Sequence, residues 1–537
     1  MILRILTVLL CLILGASAQD FHQTIIVNVT GSGDFTFTPL HTYFISSTSC
    51  NDANAGTSTA APWCTPNHNV VCGDVILVNP GTYNVNFGWP FGTVSSCPSS
   101  SGGIDGVGGV YFAVLLCAGS DLEACKMNSS QSGQELINMN NNYWAMEGFK
   151  CDGTNNFCFT SDSGANNRII HHNAFINNIS FNAAQGFATN GCPGGCTHNI
   201  PGEGSDYVAI VGNIAQNSNR AGICLAAIDI VGPGVFDNLA GTHHYLYGNF
   251  AFNNVVNCST DGEALMFDTW DAHGAAYQGV IANNIAWTTE RYNLQGFYQW
   301  ANTGASTWLF HHNTLYSSCH GFYTENTCAG LNITPNSNYT INVPYTVIIQ
   351  NNISLETLAT QAGNVTGGPV YALALGGLWQ TLTVGGTGNE NILKGTRTTC
   401  QNQSGATLTC DPGNNAVTFQ GASLGTNFYV DPIFNNTTDL MSNRSGTPNC
   451  TGFENATQCM GYDARTSTLT TPSVISDLAA GCAQCSGKGY QLPSTTCAAN
   501  PEYPAYLKGV VYLHASGWTN GATITEKAGL VTKPCSM

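Results

Sequence analysis

Trp308-Leu-Phe-His-His-Asn313 and Val347-Ile-Ile-Gln-Asn-Asn352 are two copies of one short phrase, an apolar strand that runs into a polar turn closed by asparagine. The phrase recurs upstream as Arg168-Ile-Ile-His-His-Asn173, Val208-Ala-Ile-Val-Gly-Asn213, Tyr245-Leu-Tyr-Gly-Asn249 and Gly279-Val-Ile-Ala-Asn-Asn284. The final asparagines are 40, 36, 35, 29 and 39 residues apart. Such uneven spacing suits a solenoid whose strands stack in register while its loops vary in length. Asparagine at each turn has a structural explanation: it tolerates left-handed backbone, and its amide can bond the asparagine of the next coil. His171, His172, His311 and His312 precede two of these asparagines and are read as structural for the same reason.

Each repeat holds a second strand that starts near a glycine: Gly186-Phe-Ala-Thr-Asn190, Gly222-Ile-Cys-Leu-Ala226, Ala264-Leu-Met-Phe-Asp268, Gly296-Phe-Tyr-Gln-Trp300 and Gly321-Phe-Tyr-Thr-Glu325. Side chains alternate along a strand, so aligning these five predicts Phe187, Ile223, Leu265, Phe297 and Phe322 inward. Outward rows then join Met266 to Tyr298 and Tyr323, and Asp268 to Trp300 and Glu325. Coils stack about 4.8 Å apart.

Residues 1–18 carry Arg4, the apolar run Ile5 to Leu14 and Ala16-Ser17-Ala18, the pattern of a signal peptide. A secreted, extracellular or periplasmic chain is expected. That run is too short to span a bilayer, and no later stretch approaches the roughly twenty apolar residues a membrane helix needs. Of 23 cysteines, Cys11 lies in the leader, and the even remainder in an oxidising compartment predicts disulfides. Close pairs such as Cys117/Cys125, Cys151/Cys158, Cys319/Cys328, Cys400/Cys410 and Cys450/Cys459 suit local staples across loops. Cys482-Ala-Gln-Cys485 is read as structural, because no second pair stands at zinc-finger spacing.

Only 8% of residues are charged, and 14 Lys plus Arg face 31 Asp plus Glu, for a net charge of -17. Nucleic acid is excluded as a partner by that balance. An acidic polysaccharide would need local arginines or a bridging divalent cation. The 60 glycines, with abundant Asn, Ser and Thr, indicate a turn-rich all-β chain. The organisation expected is a leader over 1–18, an N-terminal segment and first coils over 19–142, a central β-helix over 143–385, and last coils with a cysteine-rich C-terminal cap over 386–537. A solenoid needs both ends covered, since open strands template aggregation.

The run Ser46-Ser-Thr-Ser-Cys-Asn-Asp-Ala-Asn-Ala-Gly-Thr57 with Ala61-Pro-Trp63, then Gly73-Asp-Val-Ile-Leu-Val and Pro80-Gly-Thr-Tyr83, resembles the opening of secreted proteins of the pectate-lyase-like superfamily. With the coils and Asp431-Pro-Ile-Phe434, the resemblance covers most of the chain after the leader. It implies a right-handed parallel β-helix and, commonly, binding or cleavage of polysaccharide. The fold also serves non-enzymes, so the reaction must be argued from the site.

One segment departs from the low charge: Asp261-Gly-Glu-Ala-Leu-Met-Phe-Asp-Thr-Trp-Asp271 holds four carboxylates in eleven residues. Asp261, Glu263, Asp268 and Asp271 offer a hard, oxygen-rich set for Ca²⁺, with His273 nearby. Tyr298, Trp300 and Tyr323 on following coils could stack on sugar faces, or form a ladder covered by a loop. Three readings use these groups. In a lyase, calcium would neutralise a uronate carboxylate and a base would start β-elimination; the related lyases use Lys or Arg. No lysine occurs between Lys150 and Lys394, which leaves Arg220 or Arg291, and either could instead grip a substrate carboxylate. In an inverting hydrolase, Asp268 and Glu325, two coils or roughly 9.6 Å apart, would be acid and base; Ser259-Thr-Asp-Gly262 and Cys319-His-Gly321 resemble polygalacturonase strings. In the third, a surface binding or adhesion module cleaves nothing, and the carboxylates hold structural calcium or bind neutral glycan; on each reading the partner is extracellular polysaccharide and the chain is expected to be a monomer. The sequons, including Asn28-Val-Thr30 and Asn178-Ile-Ser180, follow from composition, and Gly102 to Gly109 lacks the Lys-Ser/Thr of a phosphate loop.

Overall fold

The computed structural model describes residues 35–85, 88–97, 112–118, 124–131, 135–153, 156–161, 170–181, 183, 185–188, 205–216, 228–231, 242–254, 264–268, 277–289, 294–298, 306–316, 328–335, 345–355, 370–375, 381–394, 416–418, 425–428, 462–463, 468–469, 484, 488–489 and 513–526. The leader, the 102–109 loop and Cys482-Cys485 as a pair lie outside these residues. No helix among them is long and apolar enough to cross a membrane.

Three parallel sheets of eleven, ten and nine strands form the solenoid. One coil shows the plan: Trp144–Glu147 in the first sheet, Phe149–Asp152 in the second and Phe157–Thr160 in the third. Each strand pairs with its equivalents in the coils before and after, as Met146 does with Leu115 and Phe175. Parallel strands joined in this way wind right-handed, because twisted strands pack back on the sheet only with that hand. The interior is apolar: Met146, Phe175, Ile210, Leu246 and Ile281 make one column of the first sheet with no exposed surface. Phe159 and Phe187 stack 4.7 Å apart from the third.

The turn between first and second sheets carries the asparagine signal. Its members are Asn178, Asn213, Asn249, Asn284, Asn313, Asn352, Asn391 and Asn427, all buried. At each step the next Oδ1 accepts the preceding asparagine's backbone N–H and its amide, as Asn313 does from Asn284 at 3.0 and 2.9 Å. The amide's other hydrogen goes to a strand carbonyl, Leu246 in the case of Asn284. The residue before the ladder asparagine turns the chain through left-handed backbone, with φ of 52° at Asn177, 57° at Asn283 and 53° at His312.

Two details differ from the sequence reading. The first ladder member is Asn178, not Asn173, which lies inside the strand Ile170–Ile176 opposite Val208. Asn173 instead accepts the Trp144 N–H and donates to Met139 O, Asn141 O and Ser161 Oγ. The histidine pairs are therefore not equivalent. His172 is in that strand with its ring stacked on Tyr143, whereas His311 ends its strand and His312 makes the turn. The ladder runs on past Asn352 to Asn391 and Asn427.

The loop closed by Cys50–Cys64 covers the first strand, Thr42–Ile45. Phe44 N–H donates to Gly56 O, and Trp63 N–H donates to Phe44 O, so the edge is paired. Trp63 lies between Tyr43 at 4.5 Å and His68 at 3.9 Å. Gly56, at φ 72°, has no room for a side chain: a Cβ there would lie 2.2 Å from the Trp63 ring. Asp52 fastens the loop by accepting from the N–H groups of Cys64 and Thr65, the Thr65 hydroxyl and His68 Nε2. The staples Cys117–Cys125 and Cys151–Cys158 form as expected, joined by Cys72–Cys97. Strands Leu513–Ala515 and Ile524–Glu526 join Phe35–Phe37 in an antiparallel sheet. Leu513, Ala515 and Ile524 pack on the outward face of the first coils, not on the far end of the solenoid.

Candidate functional site

The acidic segment enters the third sheet as the strand Leu265–Asp268. Its register is set by buried apolar side chains: Phe187, Ile228, Leu265, Leu294, Leu331 and Leu373 form one inward column. Leu294, not Phe297, is therefore the partner of Leu265, and Ile228 stands where Ile223 was expected. The repeated Gly-Phe-Tyr strings at 296 and 321 resemble each other, but burial of leucine decides the pairing. Asp268 accordingly faces Val231 on one side and Phe297 on the other, with Thr334 one coil further. The row thus holds Phe297 and Thr334 where Trp300 and Glu325 were aligned, and Tyr298 pairs with Pro335.

Asp268 and Tyr298 are described in backbone only. Arg220, Asp261, Glu263, Asp271, His273, Arg291, Trp300, Tyr323 and Glu325 lie outside the described residues, in connections whose ends are fixed. Arg220, then Asp261 with Glu263, then Arg291, then Tyr323 with Glu325 fall in the second-to-third-sheet connections of four successive coils. Asp271 with His273 and then Trp300 fall in the third-to-first-sheet connections of two successive coils. In sequence, then, the candidates fall in the connections that enter and leave the third sheet at its two rims.

The extended strand between those rims is four residues long, which puts about 10 Å between Leu265 and Asp268. Calcium binds its oxygens at about 2.3–2.6 Å. In sequence the donor set falls as Asp261 and Glu263 before this strand and Asp268 and Asp271 at and after its end. Among the described residues no group of three His, Cys, Asp or Glu side chains converges to hold a metal.

A further carboxylate emerges from the register. Asp229, in Ile228–Val231, pairs with Met266, two residues before Asp268 and with the same strand parity. One strand across and two residues along places the two aspartate backbones about 8 Å apart. The alternation Ile228-Asp-Ile-Val231 carries that signal in the sequence, but the string Gly222–Ala226 was aligned as the strand of that coil. Met266, in the row of Asp229, is partly exposed.

Neither a family model nor a curated protein matches this sequence. Among solved structures, the chain is similar to pectate lyase Pel9A at 15% identity and a TM-score of 0.34, over 63% of this chain and 80% of that one. It is also similar to XylC in its complex with xylose, at 11% identity and a TM-score of 0.25, over 71% of this chain and 86% of that one. Both scores are low, so the parallel β-helix rests on the stacked coils and their register.

Proposed function

We propose that this chain is a secreted, polysaccharide-active β-helix protein, and that it cleaves an acidic glycan by calcium-assisted β-elimination on the third sheet. The observation that carries this reading is the placement of the acidic strand Leu265–Asp268 between two coils whose connections bear Arg220 and Arg291. Either guanidinium can grip a uronate carboxylate through two parallel hydrogen bonds. Calcium bound by Asp268 and Asp271 would neutralise that carboxylate and acidify the adjoining C–H. The second arginine would take the proton, which demands an environment that strips it of its ordinary charge. Tyr298, Trp300 and Tyr323 would supply stacking surface, and His273, Asp261, Glu263 and Glu325 polar contacts along the rims. A second reading, inverting hydrolysis, is favoured by the same-face placement of Asp229 and Asp268, because their backbone spacing of about 8 Å suits carboxyls that admit a water.

A panel of pectate, alginate, glycosaminoglycans and neutral glycans separates these readings. Unsaturated uronate product, seen by its ultraviolet absorbance, supports the lyase. New reducing ends without that absorbance replace it with the hydrolase. Neither signal, alongside measurable glycan binding, replaces both with a non-catalytic binding protein.

A further inference from the structure

Four Asn-x-Ser/Thr strings fall among the described residues: Asn128-Ser-Ser130, Asn178-Ile-Ser180, Asn332-Ile-Thr334 and Asn352-Ile-Ser354. Composition makes such strings common, but the fold sorts them. Asn178 and Asn352 are ladder members, 0% and 1% exposed. Asn178 Nδ2 donates to Met146 O at 2.9 Å and to Asn213 Oδ1 at 3.2 Å, and Asn352 Nδ2 donates to Phe310 O at 2.9 Å and to Asn391 Oδ1 at 3.0 Å. A sugar on either nitrogen would take a hydrogen that these bonds use and would lie between stacked coils. Asn332 is 3% exposed and pairs with Gln295 on one side and Ala374 on the other. These three positions are closed to a glycan in the folded chain.

Asn128 differs on each count. It ends the strand Cys125–Asn128, where the second sheet gives way to a bend in which Gln131 N–H donates to Ser129 Oγ at 3.0 Å. Cys125 and Met127 point into the core, so strand alternation turns Lys126 and Asn128 outward. Asn128 and Ser129 are partly exposed, and Lys126 and Ser130 are exposed. In the coil before, Asn84 stands in register with Asn128 and is exposed, as is Thr82 beside Lys126. The same outward face closes in later coils: Lys150, Ile179 and Ile214 continue the Lys126 row and are buried. The Asn128 carbonyl oxygen accepts no hydrogen bond, so no ladder depends on this amide.

We propose that Asn128 is a site of N-linked glycosylation, and that Asn178, Asn332 and Asn352 are not. The donor is an oligosaccharide carried on a lipid pyrophosphate, and the transferase of a eukaryotic secretory route supplies it. The Asn128 amide nitrogen attacks the anomeric carbon, a C–N bond forms, the C–O bond to the pyrophosphate breaks, and the amide gives up one proton as the lipid pyrophosphate leaves. Ser130 supplies the hydroxyl that the transferase requires two residues after the asparagine. A bulky, hydrated glycan at this position would extend the exposed polar end of the second sheet and displace no buried group. The assignment is independent of which reaction the third sheet performs.

Site mapping on the full-length protein secreted from a eukaryotic host tests this. Treated with peptide N-glycosidase in heavy-oxygen water and digested, the protein should carry the isotope label at Asn128 and at none of Asn178, Asn332 and Asn352. An unlabelled Asn128, or a label at any of the other three in folded protein, overturns the inference. A second measurement uses Ser130→Ala, which removes the required hydroxyl and leaves the Asn128 side chain in place. The secreted variant should migrate faster on a denaturing gel by the mass of one glycan, and Ser130→Thr should restore the slower band. Equal mobility of Ser130→Ala and the parent protein overturns the inference, and if that variant is not secreted the isotope map decides.

Discussion

Asn284 makes four hydrogen bonds with one buried amide. Its Oδ1 takes the N–H and the amide of Asn249 at 2.9 and 3.0 Å, while its own Nδ2 goes to Leu246 O and Asn313 Oδ1. Leucine would match its volume but take the acceptor from the Asn249 backbone N–H and the amide donor from the Leu246 carbonyl in a dry interior, while the Asn249 amide keeps Ile210 O and Tyr247 O. Unmade buried bonds cost about 1–3 kcal/mol each, so Asn284→Leu should lose about 2–5 kcal/mol, read from a shift in the urea midpoint. Asp52 offers a different residue-scale effect. Burial raises its carboxyl, but the N–H groups of Cys64 and Thr65 with the His68 and Thr65 side chains outweigh that and hold it below its ordinary value. A depressed carboxyl contributes stability that is present above the unfolded aspartate value of about 3.9 and is lost as pH falls through the folded one. Amide exchange in 50–68 should accelerate on that acid limb, and Asp52→Asn should flatten the dependence. At the proposed site, Asp268→Ala should abolish glycan turnover or calcium binding with the fold intact. Unchanged binding and turnover would remove Asp268 from the site.

Elements were legible in the sequence where their chemistry is strict. A strand that must end in left-handed backbone and then an amide bonding on both sides leaves an asparagine that few other residues can replace, and five of the six quoted copies fall on the ladder. The first slipped by five residues because Asn173 and Asn178 both follow apolar strands and both are buried. The third sheet was less legible. Glycine-aromatic strings repeat in sequence, yet the interior selects the leucines, and loops of different length hide the offset. Asp229 was missed through that offset, whereas the acidic run 261–271 stood out by composition alone. The revised register makes its own prediction: Leu294 is fully buried opposite Leu265, so Leu294→Ala should destabilise by about 2–5 kcal/mol, the cost of a core cavity. A loss below about 1 kcal/mol in urea unfolding would return the register to Phe297. At the first coil the Cys50–Cys64 loop closes 14 residues over the edge strand. Cys50→Ser with Cys64→Ser should cost about 3 kcal/mol in the chain-entropy account and free a strand edge, seen as concentration-dependent light scattering.

Across the whole molecule, the net charge of -17 sets terms that no single coil can change. A polyuronate approaching such a surface is repelled over about a Debye length, near 10 Å at 0.1 M salt. Arg220 and Arg291 are among only 14 basic residues, so attraction has to be local and short-ranged. If calcium bridges the acidic strand to the glycan, two opposite salt responses follow. With calcium present, the bridge forms at contact distance and its affinity should change little as NaCl rises, because a contact pair is screened less than a diffuse field. With calcium chelated, binding of an acidic glycan should be weak at low salt and strengthen as NaCl screens the repulsion, while a neutral glycan should respond to neither. Titrations of pectate and a neutral xylan, each with calcium and with chelator across a salt series, measure all four cases. Pectate binding that weakens steeply with salt in both conditions would mean that the arginines alone govern attraction, and the calcium role would fall while the location on the third sheet would stand.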